Sequence, residues 1–203
     1  AAVLEVGCGT GAALLCLAVR RPDLRLTGLE KLPQAAALAR ENVALNAVAE
    51  RVAVLAGCLL APPAELAAQA FDHVMMNPPY LAADRATPPP DPWKAAANVE
   101  GDARLADWIA FARARLRSKG VLTLIHRADR LDEILAALAG GFGGVVTFPL
   151  WPRAGQDAKR VIVQAAKGVK TPARLAAGLA LHDQAGGYTA AAAAALNGAA
   201  LAL

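Results

Sequence analysis

The sequence of 203 residues predicts an α/β fold, a doubly wound and mostly parallel sheet with helices on both faces. Three observations predict it. Apolar runs of strand length alternate with helical stretches, a glycine-rich turn follows the first run, and a proline-rich turn ends the fourth. Repeated β-α-β units give such a sheet because each helix carries the chain back to the edge where the preceding strand began. A chain of this length can bury a full core as one domain.

Seven apolar runs are predicted as strands, because each has the length of a strand and is bounded by turn residues. They are residues 3–6, 26–29, 52–55, 71–76, 121–125, 145–150 and 161–165.

The helices between these strands are predicted from apolar spacing and from the residues that begin and end them. They are residues 11–19, 33–46, 63–69, 102–117 and 129–138. Pro33 lies in the first turn of its helix, where proline is tolerated. Residues 102–117 have apolar side chains at helical spacing and polar ones between them, which is typical of a helix with one buried face. Residues 118–120 are expected to end that helix.

Residues 1–166 are expected to form this domain, and residues 167–203 a C-terminal extension that packs on it. A short alanine-rich helix is predicted over residues 190–196 of the extension, and a proline- and alanine-rich loop over residues 81–100. Because the first strand begins at once, we expect a further segment upstream of it.

The composition narrows the possible function classes. No apolar run approaches the roughly 20 residues that a membrane-spanning helix needs. The cysteines Cys8, Cys16 and Cys58 lack the spacing of a zinc site or a disulfide framework. We therefore expect a cytoplasmic protein without membrane or metal, either monomer or dimer. The net charge of +4 and the pI near 9.2 are compatible with a nucleic-acid partner but do not require one.

The glycine-rich turn, Glu5-Val6-Gly7-Cys8-Gly9-Thr10-Gly11, is typical of a nucleotide-cofactor site. Its glycines let the backbone approach a ligand, and the next helix points free N–H groups toward it. The spacing fits the dinucleotide fingerprint ending at Ala12 and also the S-adenosylmethionine pattern, in which an acidic residue precedes the glycines. The Glu5 carboxylate would repel a pyrophosphate but attract a sulfonium and an amino group. The sequence therefore favours S-adenosylmethionine, with S-adenosylhomocysteine as product.

Two further segments complete the expected cofactor site. Glu30 ends the second strand about 20 residues after the glycines, where a carboxylate accepts hydrogen bonds from ribose hydroxyls of either cofactor. Lys31 adjoins it. Gly57 and Cys58 follow the third strand, where the Cys58 backbone N–H can contact an adenine ring. The Cys58 side chain either lines the pocket or belongs to the core.

The proline-rich turn, Asn77-Pro78-Pro79-Tyr80, is expected to be the catalytic motif. It ends a strand at the ligand-binding edge of a parallel sheet, so it faces the glycine turn. An aryl amine or amide nitrogen is a poor nucleophile until it pyramidalises, and two hydrogen-bond acceptors against its N–H groups favour that change. The Asn77 side-chain oxygen and the Pro78 carbonyl can supply them, because the prolines fix the direction of the carbonyl. Tyr80 offers a flat face to a planar acceptor.

These motifs resemble those of class I S-adenosylmethionine-dependent methyltransferases that act on amino or amide nitrogens. That group includes adenine-N6 enzymes and release-factor glutamine methyltransferases, and it implies that Asn77 also contacts the cofactor. Later segments are similar to bacterial tRNA(Val) adenine-N6 methyltransferase-like proteins. They are residues 123–130, 149–155, 159–161, 181–183 and 187–189.

The resemblance implies a Rossmann-like, seven-stranded sheet whose last strand is antiparallel, and methylation of an adenine next to a tRNA anticodon. Such enzymes often have an acidic residue where this chain has Cys58. An RNA base must leave its stack to react, so basic residues should hold phosphates near the crevice. Arg153, Lys159 and Arg160 are the leading candidates, because they flank the loop between the last two strands. The other basic candidates are Arg85, Lys94, Arg127 and Arg130. Trp93 in the proline-rich loop either stacks on a nucleotide or anchors the loop on the sheet edge.

His126 follows a strand at the same edge, and we expect it to have a structural role. Trp108 lies on the apolar side of its helix and is expected in the core.

Three alternatives to an RNA adenine-N6 methyltransferase stay open. The first is a protein glutamine N5-methyltransferase that acts on a release factor. The second is a catalytically silent module that binds S-adenosylmethionine or RNA. The third and weakest is a nicotinamide-dependent oxidoreductase.

Overall fold

The computed structural model describes residues 1–80, 101–201 and 203, and the loop expected over residues 81–100 lies outside these ranges. Nine strands are found in the described residues. They are β1 (Ala2–Val6), β2 (Arg25–Glu30), β3 (Val52–Ala56), β4 (Phe71–Met76), β5 (Leu116–Arg127), β6 (Phe142–Arg153), β7 (Arg160–Lys167), β8 (Arg174–Leu175) and β9 (Leu179–His182).

The strands form one sheet in the order β3-β2-β1-β4-β5-β7-β6-β8, and β9 also pairs with β6. Strands β1 to β5 pair in parallel. Strand β7 runs antiparallel to both of its neighbours, β5 and β6. The α/β fold class is therefore confirmed, with its mostly parallel sheet and the antiparallel strand that the resemblance implied.

Six α-helices lie in the described residues. They are α1 (Ala12–Arg20), α2 (Pro33–Leu45), α3 (Ala64–Ala67), α4 (Leu105–Arg115), α5 (Leu131–Leu138) and α6 (Ala190–Leu196), and a 3₁₀ turn, Ala128–Arg130, precedes α5. Among them, none is long and apolar enough to cross a membrane.

The helices cover both faces of the sheet. Neighbouring strand residues point to opposite faces, so Val3 packs in one apolar cluster and Leu4 in the other. The Val3 cluster contains side chains of α1 and α2, such as Leu14 and Val43, and the Leu4 cluster contains those of α4 and α5, such as Ile109 and Ile134. The sheet is thus the middle layer of three.

The predicted end of the helix over residues 102–117 was wrong. Helix α4 ends at Arg115, and residues 118–120 belong to β5 rather than to a terminating turn. Lys119 has a φ of 62°, and the pairing of β4 with β5 shifts its register between Phe71 and His73. A Cβ atom on Gly120 would lie 3.2 Å from the Asp72 carbonyl oxygen. Gly120 therefore allows β5 to approach β4 closely at a bulge. A bulge contains the same kinds of residue as a turn, so the two look alike in the sequence.

The count of seven strands was also too low. All seven predicted strands are present, and β8 and β9 extend the sheet beyond β6. The two residues of β8 and the four of β9 are too few to give a readable alternation. The chain after Lys167 therefore continues the sheet through β8 and β9, and α6 follows over the range predicted for it.

Leu4→Ala should lower the free energy of unfolding by about 2–5 kcal/mol, because the Leu4 side chain is fully buried in β1 and its loss leaves a cavity. The shift of the urea midpoint at constant slope measures the change. Leu45→Ala is the matched control, since Leu45 is 82% exposed, and should change stability by less than about 0.5 kcal/mol. Equal losses in the two variants would contradict this assignment of the core.

Candidate active site

The carboxyl ends of the parallel strands lie at one edge of the sheet, and each predicted motif follows one of them. The glycine turn follows β1, Glu30 ends β2, Gly57 follows β3 and Asn77 follows β4. His126 lies near the end of β5, and Arg160 begins the antiparallel β7 at the same edge, where it pairs with Arg127. The topology thus brings together residues that are up to 155 positions apart, from Glu5 to Arg160.

The glycine turn is tightly bound to β2. The backbone N–H groups of Gly7 and Cys8 both donate to the Leu29 carbonyl, at 2.8 and 3.1 Å. Gly7 has a φ of +71°, and a Cβ atom there would lie 2.8 Å from the benzo ring of Trp108. Glycine is therefore required at this position by backbone conformation and by packing.

Glu5 is a buried carboxylate beside the glycine turn. Its exposed fraction is 8%, and its Oε2 atom has no hydrogen-bond partner among the described residues. The pKa of Glu5 is raised from 4.5 to about 8, mainly because the carboxylate is buried; a hydrogen bond from the Leu14 backbone opposes the rise, and the nearby charge of Glu30 adds to it. A buried, unpartnered acceptor of this kind suits a cationic ligand, whose charge would restore the ionised form.

Glu30 holds the glycine turn and the start of α2 together. Its Oε2 accepts a hydrogen bond from the Gly9 N–H at 2.8 Å, and its Oε1 accepts one from the Leu32 N–H at 2.9 Å. A carboxylate has about four acceptor positions. Two backbone bonds therefore fix its orientation and leave capacity for the hydroxyls of a bound ribose.

The remaining predicted cofactor residues differ in their burial and in their contacts. The Cys8 side chain is buried against Gly28, and burial, with Glu5 and Glu30, raises the pKa of its thiol to about 12. Lys31 is exposed and forms an ion pair with Asp102 at 3.2 Å. Gly57 donates its N–H to the Glu30 carbonyl, and a Cβ atom there would clash with Pro63 at 2.7 Å.

Cys58 is half-buried and forms an isolated β-bridge with Ala61. The Ala61 N–H donates to its carbonyl at 3.1 Å. The bridge closes a short loop next to the site, and it uses backbone groups only.

The Asn77–Tyr80 turn is held by His126. The side chain of His126 is fully buried, and its Nε2–H donates to the Pro79 carbonyl at 3.1 Å. Its ring also meets the Tyr80 ring edge to face, with centroids 5.6 Å apart and planes at 79°. Among the described residues, no hydrogen bond is made by the Asn77 side chain or by the Pro78 carbonyl; Asn77 is exposed and Pro78 is buried.

The basic residues proposed from the sequence fall into three groups. The Arg160 guanidinium lies 5.5 Å from the centre of the Tyr80 ring, within range of a cation–π contact. Arg153 is bound at the Asp183 carbonyl, and the Lys159 side chain is exposed. Arg127 and Arg130 form ion pairs with Asp129 and Glu133. Arg85, Trp93 and Lys94 lie outside the described residues.

Two residues near the motifs make contacts that the sequence did not predict. Trp108 is in the core, as expected, but it also covers Gly7, and its Nε1 is a buried donor without a partner in the described part of the chain. His126 has the expected structural role, and its partner is the Asn77–Tyr80 turn. Helical spacing and strand position identify both side chains as buried, but only the tertiary fold shows what each one contacts.

A family model described as the methyltransferase small domain matches residues 1–147. A tRNA1(Val) (adenine(37)-N6)-methyltransferase of Aeromonas hydrophila is 32% identical over 169 residues, which are 82% of this chain and 69% of that protein. A release factor glutamine methyltransferase of Salmonella typhimurium is 34% identical over 140 residues, which are 69% of this chain and 44% of that protein.

Solved structures agree with this relationship. A predicted O-methyltransferase of Agrobacterium tumefaciens superposes with a TM-score of 0.79 at 29% identity, over 97% of this chain and 88% of that one. The Rossmann-like fold and the resemblance drawn from the sequence are confirmed. The chain belongs to the methyltransferase small domain family, whose enzymes take a methyl group from S-adenosylmethionine.

Proposed function

We propose that this protein methylates the N6 atom of an adenine in tRNA, with the Asn77–Tyr80 turn as the acceptor site. The observation that carries the proposal is the hydrogen bond from His126 to Pro79, which holds the backbone of that turn, while the exposed Asn77 side chain has no hydrogen-bond partner among the described residues. The Aeromonas relative is named for adenine 37 of tRNA1(Val), which supports RNA as the substrate class.

The residues at the carboxyl ends of β1, β2 and β3 would hold most of the cofactor. Glu5 would face the amino group, Glu30 the ribose hydroxyls, and the N–H groups of the glycine turn and of Cys58 the remaining polar atoms. The proposed contacts are Glu5, Gly7, Cys8, Gly9, Gly11, Glu30, Lys31, Gly57, Cys58 and Asn77. The bound cofactor supplies an electrophilic methyl group on a sulfonium. The buried, unpartnered oxygen of Glu5 and the buried, unpartnered N–H of Trp108 fit a ligand that has both an ammonium and a carboxylate.

The free acceptors of the catalytic turn activate the substrate nitrogen. The Asn77 Oδ1 and the Pro78 carbonyl would accept the two N–H groups of adenine N6, which favours the pyramidal nitrogen that can attack a methyl group. The backbone of the turn, and with it the Pro78 carbonyl, is oriented before substrate arrives, because the prolines restrict φ and His126 holds the Pro79 carbonyl. Tyr80 would stack on the adenine, and His126 and Arg160 both contact its ring.

The turn fits a nitrogen acceptor better than an oxygen acceptor. A hydroxyl must lose its proton as it attacks, and this needs a nearby base. The Nε2 atom of His126 donates to the Pro79 carbonyl and its Nδ1 atom is buried, so neither ring nitrogen is placed to take a proton from a substrate hydroxyl. An amino nitrogen can release its proton after the methyl group has arrived.

A glutamine amide of a protein is the second candidate substrate, because it presents the same planar N–H₂ group to the two acceptors. The Salmonella relative is named for release factor glutamine methylation. The Arg160 guanidinium beside Tyr80 favours RNA, since a phosphate next to a flipped base would meet it.

Asn77→Ala should lower kcat for methyl transfer to tRNA by about 10²–10³-fold, the cost of one preorganised hydrogen-bonding group, and change donor affinity much less. Transfer of a labelled methyl group measures kcat, and calorimetry measures donor binding. Asn46→Ala is the matched control, because Asn46 is an exposed residue after α2. Label that appears in a release factor and not in tRNA would favour the second candidate. No label in either substrate, with donor bound, would favour a silent module.

Donor affinity should rise with pH up to about pH 8 and then level off. The pKa of Glu5 is about 8 without ligand, so the group is protonated at neutral pH, and a cationic donor must displace that proton to bind. Glu5→Gln should weaken donor binding by about 10- to 100-fold and remove the rise, because glutamine does not titrate.

Calorimetry in buffers of different ionisation enthalpy counts the protons released at pH 7. Glu65→Gln at an exposed position is the matched control and should keep the slope. An unchanged pH slope in Glu5→Gln would contradict this role of Glu5.

Lys159→Ala and Arg160→Ala should each weaken tRNA binding and reduce the slope of log affinity against log salt by about 0.7–0.9, the value for one phosphate contact. Arg160→Ala should also raise KM, because Tyr80 loses its cationic neighbour. Fluorescence anisotropy across salt concentrations measures the slope. Arg25→Ala, an exposed arginine at the opposite edge of the sheet, should leave it unchanged. A salt slope equal to that of the unchanged protein in Lys159→Ala or Arg160→Ala would rule that residue out as a phosphate contact.

A further inference from the structure

An aromatic pair lies at the substrate edge of the sheet, beyond the residues assigned so far. Strand β9 ends at His182, which is the register partner of Arg153 on β6. An isolated bridge joins His182 to Tyr188, and the two rings stack with centroids 5.0 Å apart and planes at 23°. Tyr188 is 58% exposed, so much of its surface is accessible although one face stacks on His182.

The turn between the two rings is held by several hydrogen bonds. The Asp183 N–H donates to the Gly187 carbonyl at 2.9 Å, and the Gly187 N–H donates to Asp183 Oδ1 at 3.0 Å. The Arg153 Nε donates to the Asp183 carbonyl at 3.3 Å. The position of the Tyr188 ring is therefore set before any partner binds, and binding would cost little ordering of that side chain.

The residue after Tyr188 anchors the turn to its neighbours. The Thr189 hydroxyl donates to the Ala180 carbonyl at 2.7 Å and accepts from the Ala192 N–H at the start of α6. The chain next to Tyr188 is thus hydrogen-bonded to the sheet and to α6, which fixes the position of the exposed ring.

The pair lies along the same edge as the catalytic turn. Arg160 pairs with Leu150 on β6, and β6 pairs with β9. Two strand spacings, about 10 Å, therefore separate the backbones of β7 and β9 at this edge. The Arg160 guanidinium reaches Tyr80, so the two tyrosines lie on either side of the basic residues Arg153 and Arg160.

We propose that the open face of Tyr188 stacks on an unpaired base of the RNA substrate that flanks the methylated adenine. The inference rests on the proposed RNA methyltransferase function. Single-stranded RNA is bound by aromatic faces between basic side chains, and stacking tolerates any base because each has a π face. When one base turns toward Tyr80, its neighbours leave their own stack and extend along this edge, where Tyr188 offers a replacement surface.

The test uses the anticodon stem–loop of tRNA1(Val) as the probe. Tyr188→Ala should weaken its binding about 5- to 150-fold, the range for the loss of one base–aromatic stack. Tyr188→Phe keeps the ring and should bind within about twofold of the unchanged protein. The KM for RNA should rise in Tyr188→Ala while kcat and donor affinity stay the same.

Two further readouts separate stacking from charge and from misfolding. Tyr188→Ala removes no cation, so its salt slope should match that of the unchanged protein, unlike the slope of Arg160→Ala. A 2-aminopurine placed in turn at each loop position should be quenched at one flanking position, and Tyr188→Ala should remove that quenching. An unchanged urea midpoint shows that the variant is folded.

The outcomes distinguish this inference from the proposed function. Methylation of tRNA by the unchanged protein, with equal RNA binding by Tyr188→Ala, overturns the stacking site and leaves the function standing. Absence of RNA binding and methylation in the unchanged protein overturns both. A loss of release-factor methylation in Tyr188→Ala, without effect on RNA, assigns the surface to a protein substrate and overturns the inference.

Discussion

The parallel pairing of β1, β2, β4 and β5 is the constraint on which the candidate site depends. Parallel strands end at one edge, so the glycine turn, Glu30, the Asn77–Tyr80 turn and His126 come together there although the chain separates them widely. The antiparallel β7 then starts at this edge and adds Arg160 from the opposite direction. A change of register in any of these strands would move Glu5 and Glu30 relative to the Asn77–Tyr80 turn, because side chains alternate faces along a strand.

Two buried carboxylates at this edge show how function and stability oppose each other. Glu5 and Glu30 are both 8% exposed, and the charge of Glu30 contributes to the raised pKa of Glu5. Glu30 is compensated by the N–H groups of Gly9 and Leu32, whereas Glu5 Oε2 has no partner among the described residues. One carboxylate is thus fixed as part of the glycine turn, and the other keeps an acceptor oxygen that a ligand would complete in the proposed function. Such uncompensated buried groups are found mainly at functional sites, where a ligand completes them.

The sequence predicted what depends on local pattern. The strands β1 to β7 could be predicted because each contains an apolar run of strand length between turn residues. The turn at Gly7 could be predicted from the spacing of the glycines. The residues 118–120 were misread, since a bulge and a helix end both use a glycine and a residue with positive φ. The contact of His126 with Pro79 could not be predicted, because 47 residues separate them and no pattern specifies which buried polar groups pair. The cover of Trp108 over Gly7 is of the same kind.

The ring of Tyr80 links the Asn77–Tyr80 turn to the basic side chains at this edge. It contacts His126, which also holds the Pro79 carbonyl, and the Arg160 guanidinium lies 5.5 Å from its centre. In the proposed function, a base that stacks on Tyr80 would bring its amino group to the Asn77 and Pro78 oxygens and its own phosphate near Arg160 in a single step. Proximity and orientation account for a large part of catalysis when the acceptor is a neutral nitrogen. The same contacts that recognise the substrate would then also align it for reaction.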